Sequence, residues 1–184
     1  MKFLVVFDIS GTLARKYHKA KSEYRTLAAM GIKADFKFGE YFVYDRPHLD
    51  LLAEFLRVHD AGYVLWTTGM SQNAVRLVKH LESIGLDGFL GWYSQLDCKV
   101  GKVKLESKCD LWVKDLEVVA RNHNIDVGKC ILVDDSIDKS IHNQNFICCP
   151  TYTPGTEDCG VSYICRYLDD FFECEEQCIA KKLL

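Results

Sequence analysis

No stretch of the 184 residues is apolar over anything near the ~20 positions that a bilayer-spanning helix needs. Neither sign of charge is in excess. Lys and Arg number 23 against 26 Asp and Glu, a formal net charge of −3, so the chain has no electrostatic footprint for nucleic acid. No C-x-x-C pair occurs among nine cysteines, an odd count that argues against a disulfide framework. Cys130, Cys148 and Cys149 fall in apolar runs, where cysteine behaves as a small core residue. Cys174 and Cys178 stand four apart in a helical pattern and could share a face. A metal site there lacks further His or Cys partners at a recognisable spacing, and reduced structural thiols are the plainer reading. Internal repeats, low-complexity segments and linkers are also missing. The first apolar stretch reaches Asp8 too soon for the core of a signal peptide. The expectation is one domain over residues 1–184, in the cytoplasm or nucleus, without a membrane or nucleic-acid partner.

What is present is organised around Lys2 to Leu13. Phe3 to Phe7 is a run of five apolar residues, rich in β-branched and aromatic types, the profile of a central parallel strand buried on both faces. Tyr63 to Thr67 and Cys130 to Asp135 read the same way, and Phe89 to Tyr93 and Phe146 to Cys149 are further strand candidates. Helical periodicity marks a weak helix around Tyr24, Leu27 and Ala28 that ends at Gly31. It marks a second from Asp45-Arg46-Pro47, with Pro47 in its first turn, to about His59, with Gly62 as its stop. Another spans Ser71 to Ile84, Trp112-Val113-Lys114-Asp115-Leu116 leads into one ending near Asn122, and a last runs from Asp158 to about Ala180. The aromatic stretch Phe36 to Tyr44 reads as a strand or hairpin arm, and Gln95 to Cys109 as a surface insertion or small hairpin. Alternating strands and helices imply a doubly wound, mainly parallel α/β sheet flanked by helices. In such a sheet the strand ends at Asp8, Thr67 and Asp134-Asp135 share one edge, where ligands bind.

Each of these residues also has an ordinary reading. Asp8 could simply cap a turn, Thr67 is a β-former at a strand end, and a lone Lys114 is usually solvated. Adjacent Asp134 and Asp135 after four apolar residues are costly unless compensated, and a cation is the natural compensation.

The hexapeptide Asp8-Ile9-Ser10-Gly11-Thr12-Leu13 resembles the first motif of the haloacid dehalogenase (HAD) superfamily, D-x-D-G-T-L/V, with Ser10 replacing the second Asp. Thr67 resembles its second motif, Lys114 in W-V-K-D-L its third, and Asp134-Asp135 its fourth. Tyr41 to Leu49 with Arg46-Pro47, Val64 to Gly69, and the twenty residues from Lys114 to Asp134 bring the chain near one group. It comprises the RNA polymerase II C-terminal-domain phosphatases and their NLI-interacting-factor relatives, some of which are binding proteins.

The resemblance implies an HAD-like fold with no large cap and a small insert between the second and third motifs. It implies Asp8 as nucleophile and Mg2+ held by Asp8, the Ser10 carbonyl, Asp134 and, through water, Asp135. Thr67, Thr68 and Lys114 would bind the substrate phosphate, and an uncapped site suits a phosphorylated protein or peptide. The second Asp of the motif is the proton donor and acceptor, roles a serine hydroxyl fills poorly, and general acid–base catalysis is worth ~10²–10⁴-fold. Two functions remain open: a phosphatase slowed at Ser10, and a pseudophosphatase that binds phosphopeptides or serves as a scaffold. A phosphoacceptor on another doubly wound fold is a third.

Overall fold

The computed structural model describes residues 1–101 and 111–182, with side chains up to residue 175. From the N-terminus, β1 (Phe3–Phe7) leads through the Asp8 to Leu13 turn into β2 (Ala14–His18) and α1 (Ser22–Ala29). The hairpin β3 (Phe36–Phe38) and β4 (Tyr41–Asp45) follows, then α2 (Leu49–Val58), β5 (Ala61–Trp66) and α3 (Ser71–Ser83). Next come β6 (Trp92–Tyr93), β7 (Lys99–Val100), β8 (Trp112–Val113), α4 (Leu116–Asn122), β9 (Cys130–Asp134), β10 (Phe146–Cys148) and α5 (Gly160–Lys182).

The main sheet is parallel throughout in the order β10-β9-β1-β5-β6. β1 lies at its centre, with Val5 opposite Tyr63 on one side and Ile131 on the other. Both of its faces are buried because alternate residues serve different layers. Phe3, Val5 and Phe7 pack with Leu52 and Leu56 of α2, Leu77 and Leu81 of α3, and Ile164 and Leu168 of α5. Leu4 and Val6 pack with Leu116 and Val119 of α4. That two-sided demand is why the strand reads as an unbroken apolar run. No helix among the described residues is long and apolar enough to cross a membrane.

A second, antiparallel sheet, β2-β4-β3, grows directly out of the turn after β1. The aromatic stretch is divided between burial and exposure: Phe38, Val43 and Tyr44 are buried, whereas Phe36, Tyr41 and Phe42 are half-covered. Two expected boundaries are corrected. α2 starts at Leu49, not at Pro47. Asp45 ends β4, Arg46 is anchored by its side chain, and His48 takes a left-handed conformation (φ 67°), so the helix cannot begin earlier. Gly62 lies inside β5, and the reversal before that strand is made at Asp60 (φ 50°). The expected strand over Phe89 to Tyr93 shortens to β6. Of the insert from Gln95, a short 3-10 turn at Gln95–Asp97 and the antiparallel pair β7–β8 are described; residues 102–110 lie outside the described residues.

Candidate active site

β1 and β9 are hydrogen-bonded neighbours in register, Phe7 opposite Val133, so both deliver a carboxylate at the same edge. Asp8 (1% exposed) is tied to β9 by its amide, which donates to the Val133 carbonyl at 2.9 Å. Asp134 is fully buried, and one oxygen from each of Asp8, Asp134 and Asp135 lies within 4.8 Å of the others. Gly11 makes this approach feasible. Its φ of 100° suits only glycine, and a Cβ there would stand 2.2 Å from Asp135 Oδ2.

Two lysines answer the three carboxylates. Lys114, 0% exposed, donates from Nζ to Asp8 Oδ1 at 2.5 Å and to Asp134 Oδ2 at 2.7 Å. Lys139 Nζ lies 3.2 Å from Asp134 Oδ1 and 3.6 Å from both Asp8 Oδ1 and Asp135 Oδ1. Burial would lower the Lys139 ammonium, but the three carboxylates outweigh it and hold it above its ordinary value. Burial pushes the Asp8 carboxyl up, with Lys114 opposing. Asp8 Oδ2 is buried and has no hydrogen-bond partner among the described residues. An unpaired buried carboxylate oxygen is expensive, and here it belongs to the residue at the end of the central strand.

The backbone around the lysines is itself braced. The Lys114 amide donates to the Lys139 carbonyl at 2.8 Å, and Gln144 Nε2 donates to the Lys114 carbonyl at 2.9 Å. Ser136 donates its amide to Asp134 Oδ1 at 2.9 Å.

Thr67 stands at the end of β5, one residue beyond the level of Asp8 in the β1–β5 register, and is buried. Its Oγ1 accepts the Gly69 amide at 3.1 Å, and among the described residues it makes no hydrogen bond to the carboxylates. Thr68 and Ser10 are half-buried, and neither side chain hydrogen-bonds within the described residues. The turn closes around Ser10 through the amides of Gly11 and Ala14, and among the described residues the Ser10 carbonyl accepts no hydrogen bond. The edge thus gathers Asp8, Lys114, Asp134 and Asp135 directly, with Ser10 and Thr67 flanking. Cys174 is an exposed thiol on α5, and the Cys178 side chain lies outside the described residues.

Sequence reasoning missed three contributors. Lys139 follows Asp135 by four residues, a spacing at which a cation can fold back, but in a polar loop it looks solvated. Gln144 carries no signal. Arg15, on β2, brings Nη1 to 4.0 Å from Asp135 Oδ2.

Carboxylates and lysines gathered at the carboxyl edge of a doubly wound sheet define an HAD-type arrangement. The profile of the NLI interacting factor-like phosphatases matches residues 3–178, and the chain belongs to that family. No curated protein sequence matches it. Among solved structures it is similar to the fission yeast RNA polymerase II CTD phosphatase Fcp1-R271A bound to beryllium fluoride (16% identity, TM-score 0.54, 98% of this chain and 54% of that one). It is also similar to Fcp1 described as an essential RNA polymerase II CTD phosphatase (17%, TM-score 0.52, 96% and 49%). A third likeness is to 3-deoxy-D-manno-octulosonate 8-phosphate phosphatase from Moraxella catarrhalis (13%, TM-score 0.51, 97% and 91%). At these identities the likeness is one of fold, and the chain spans about half the length of the Fcp1 chains.

Proposed function

We propose that this chain is a magnesium-dependent phosphatase working through an aspartyl phosphate on Asp8, with the phosphoserine or phosphothreonine of a protein as substrate. One observation carries the reading most: Asp8 Oδ2 is buried and unpartnered among the described residues while Oδ1 is held by Lys114. One oxygen is fixed and the other is free to attack.

In the first step Asp8 Oδ2 forms a bond to phosphorus, and the bond from phosphorus to the serine or threonine oxygen breaks, its electron pair leaving with that oxygen. In the second, water attacks phosphorus, the bond to Asp8 breaks, and inorganic phosphate leaves with the carboxylate restored. Lys114 offsets charge on Asp8 and on the transferring group, and Thr67 and Thr68 supply hydroxyls beside it. Asp8, Asp134, Asp135 and the Ser10 carbonyl, which accepts no hydrogen bond among the described residues, are hard oxygen donors of the kind magnesium prefers. Bound there, magnesium would supply further positive charge against the phosphoryl oxygens. The proton for the leaving oxygen is the weak point. Ser10 offers no carboxyl, so solvent has to provide it, and alkyl phosphates suffer more than aryl ones.

The unengaged Ser10 hydroxyl also supports a second reading, a pseudophosphatase that binds phosphopeptides without turning them over. Hydrolysis of p-nitrophenyl phosphate with magnesium, by wild type, Ser10→Asp and Asp8→Asn, separates the two. A phosphatase gives wild-type turnover above Asp8→Asn and a rise in Ser10→Asp. Wild type at the Asp8→Asn blank, with a gain in Ser10→Asp, supports the pseudophosphatase. Silence from all three rejects the catalytic reading.

A further inference from the structure

We infer that Lys139 is a built-in cation of the carboxylate cluster, its ammonium standing where a divalent ion has to enter, so that metal binding by this chain requires the Lys139 side chain to withdraw. The inference rests on the metal reading above and adds a determinant of affinity to it.

The ammonium reaches one oxygen of each carboxylate at 3.2 to 3.6 Å. A magnesium ion needs its oxygen ligands at ~2.0–2.1 Å, so it would occupy the space between those same three groups. A cation and an ammonium that close together repel strongly in a buried setting. One lysine has to yield, and the two are not equivalent. Lys114 is fully buried, grips both Asp8 and Asp134, and has its carbonyl braced by Gln144. Lys139 is 20% exposed, makes longer contacts, and sits in a short 3-10 turn, Ile137–Lys139, from which its four-carbon stem can swing to solvent while its carbonyl keeps the Lys114 amide.

Charge leads to the same result. Three carboxylates already face two ammonium groups, with the Arg15 guanidinium 4.0 Å from Asp135 Oδ2 at the rim. A divalent ion added with both lysines inside overshoots, and withdrawing Lys139 removes one of the surplus positive charges. Lys139 therefore stabilises the metal-free protein and lowers its apparent metal affinity, as any occupant of the metal-free state does.

The test is Mn2+ alone, titrated into the full chain by calorimetry and followed by the loss of the free-ion electron paramagnetic resonance signal, without substrate. Lys139→Met keeps the length and removes the charge, and should bind Mn2+ about tenfold or more tighter than wild type. Lys139→Arg keeps the charge and should stay near wild type. In thermal melts Lys139→Met should unfold at lower temperature than wild type without metal and gain more on adding it. Lys139→Gln, neutral but still hydrogen-bonding, should show the same tightening if Lys139→Met fails to fold. Equal affinities in wild type and the neutral variants overturn the role of Lys139 and leave the metal site standing. No binding by any of them overturns the metal reading itself.

Discussion

Two clusters of buried charge tie distant parts of this chain together, and they are built on opposite plans. In the first, Arg46 binds Asp158 through both Nε (2.9 Å) and Nη2 (3.0 Å), and donates to the carbonyls of Thr12 (2.7 Å) and Pro150 (2.6 Å). Gly160, the first residue of α5, lies so close that a Cβ there would stand 2.2 Å from the guanidinium carbon. One cation faces one anion, and the fork of donors is matched by acceptors. In the second cluster three carboxylates share two lysines, with Arg15 4.0 Å from Asp135 at the rim, and one Asp8 oxygen has no partner among the described residues. The first arrangement has nothing left to bind, and it fastens the Asp8 to Leu13 turn to the start of α5. The second is incomplete in hydrogen bonds, and its charge is completed only by the partly exposed Lys139 and Arg15, which is the condition for holding a ligand. Burial of charge alone does not mark a site; the unmatched remainder does.

Removing one charge from each cluster should break the comparison if it is wrong. Asp8→Asn takes away a buried charge and the nucleophile together. Phosphatase activity should fall to the blank, while the urea midpoint stays at or above that of wild type, because burial opposes the Asp8 charge. Arg46→Met instead leaves Asp158 buried without its cation and strands two carbonyls, and should cost about 3–5 kcal/mol in urea unfolding. Arg46→Lys should recover only part, since an ammonium cannot reproduce the fork. Equal destabilisation by Asp8→Asn and Arg46→Met would erase the distinction between a saturated clamp and an unsaturated site.

A smaller effect is expected where the two clusters meet, in the turn that Arg46 grips at Thr12. Gly11→Ala puts a side chain at φ 100° and against Asp135 Oδ2. Strain of this kind costs about 1–3 kcal/mol. Thermal unfolding should report that loss, and Mn2+ titration should show weakened binding as Asp135 is displaced. A loss of stability with unchanged Mn2+ affinity would remove Asp135 from the ligand set.

Much of this plan was legible because β1, β5 and β9 are buried on both faces and leave continuous apolar runs that end in polar residues. Asp8, Lys114, Asp134 and Asp135 were found through those strand ends and the motifs around them. β2 was not legible. Its residues, Ala14 to His18, are mostly half-exposed, and backbone pairing with β4, which composition does not reveal, fixes them as a strand. Arg46 stood out only as part of a family-like segment, since nothing local says that its partners lie more than a hundred residues away at Pro150 and Asp158. Lys139 escaped for the same reason. Its significance is a matter of where the loop after β9 turns back, and Gln144 and the Lys114 amide decide that in three dimensions.

The mildest test compares both charged clusters with a buried polar group that carries no charge at all. Tyr63 donates its hydroxyl to the Asp87 carbonyl at 2.6 Å, and burial pushes its pKa up to about 12 from an ordinary 10.0. A folded-state value above the unfolded one means that the protonated phenol is the form folding favours. Its stabilisation is complete below pH 10 and is lost as pH climbs toward 12, at up to about 1.4 kcal/mol per unit. Lys139, raised by its three carboxylates, loses its contribution in the same direction, as do Cys130 and Tyr152, each pushed up to about 12 by burial, so wild-type alkaline sensitivity mixes several groups. Tyr63→Phe removes only the share of Tyr63 and Lys139→Met only that of Lys139. Urea midpoints between pH 8 and 11 should fall less steeply in each variant than in wild type. Parallel curves for Tyr63→Phe and wild type would show that the Tyr63 hydroxyl adds nothing to the alkaline weakness.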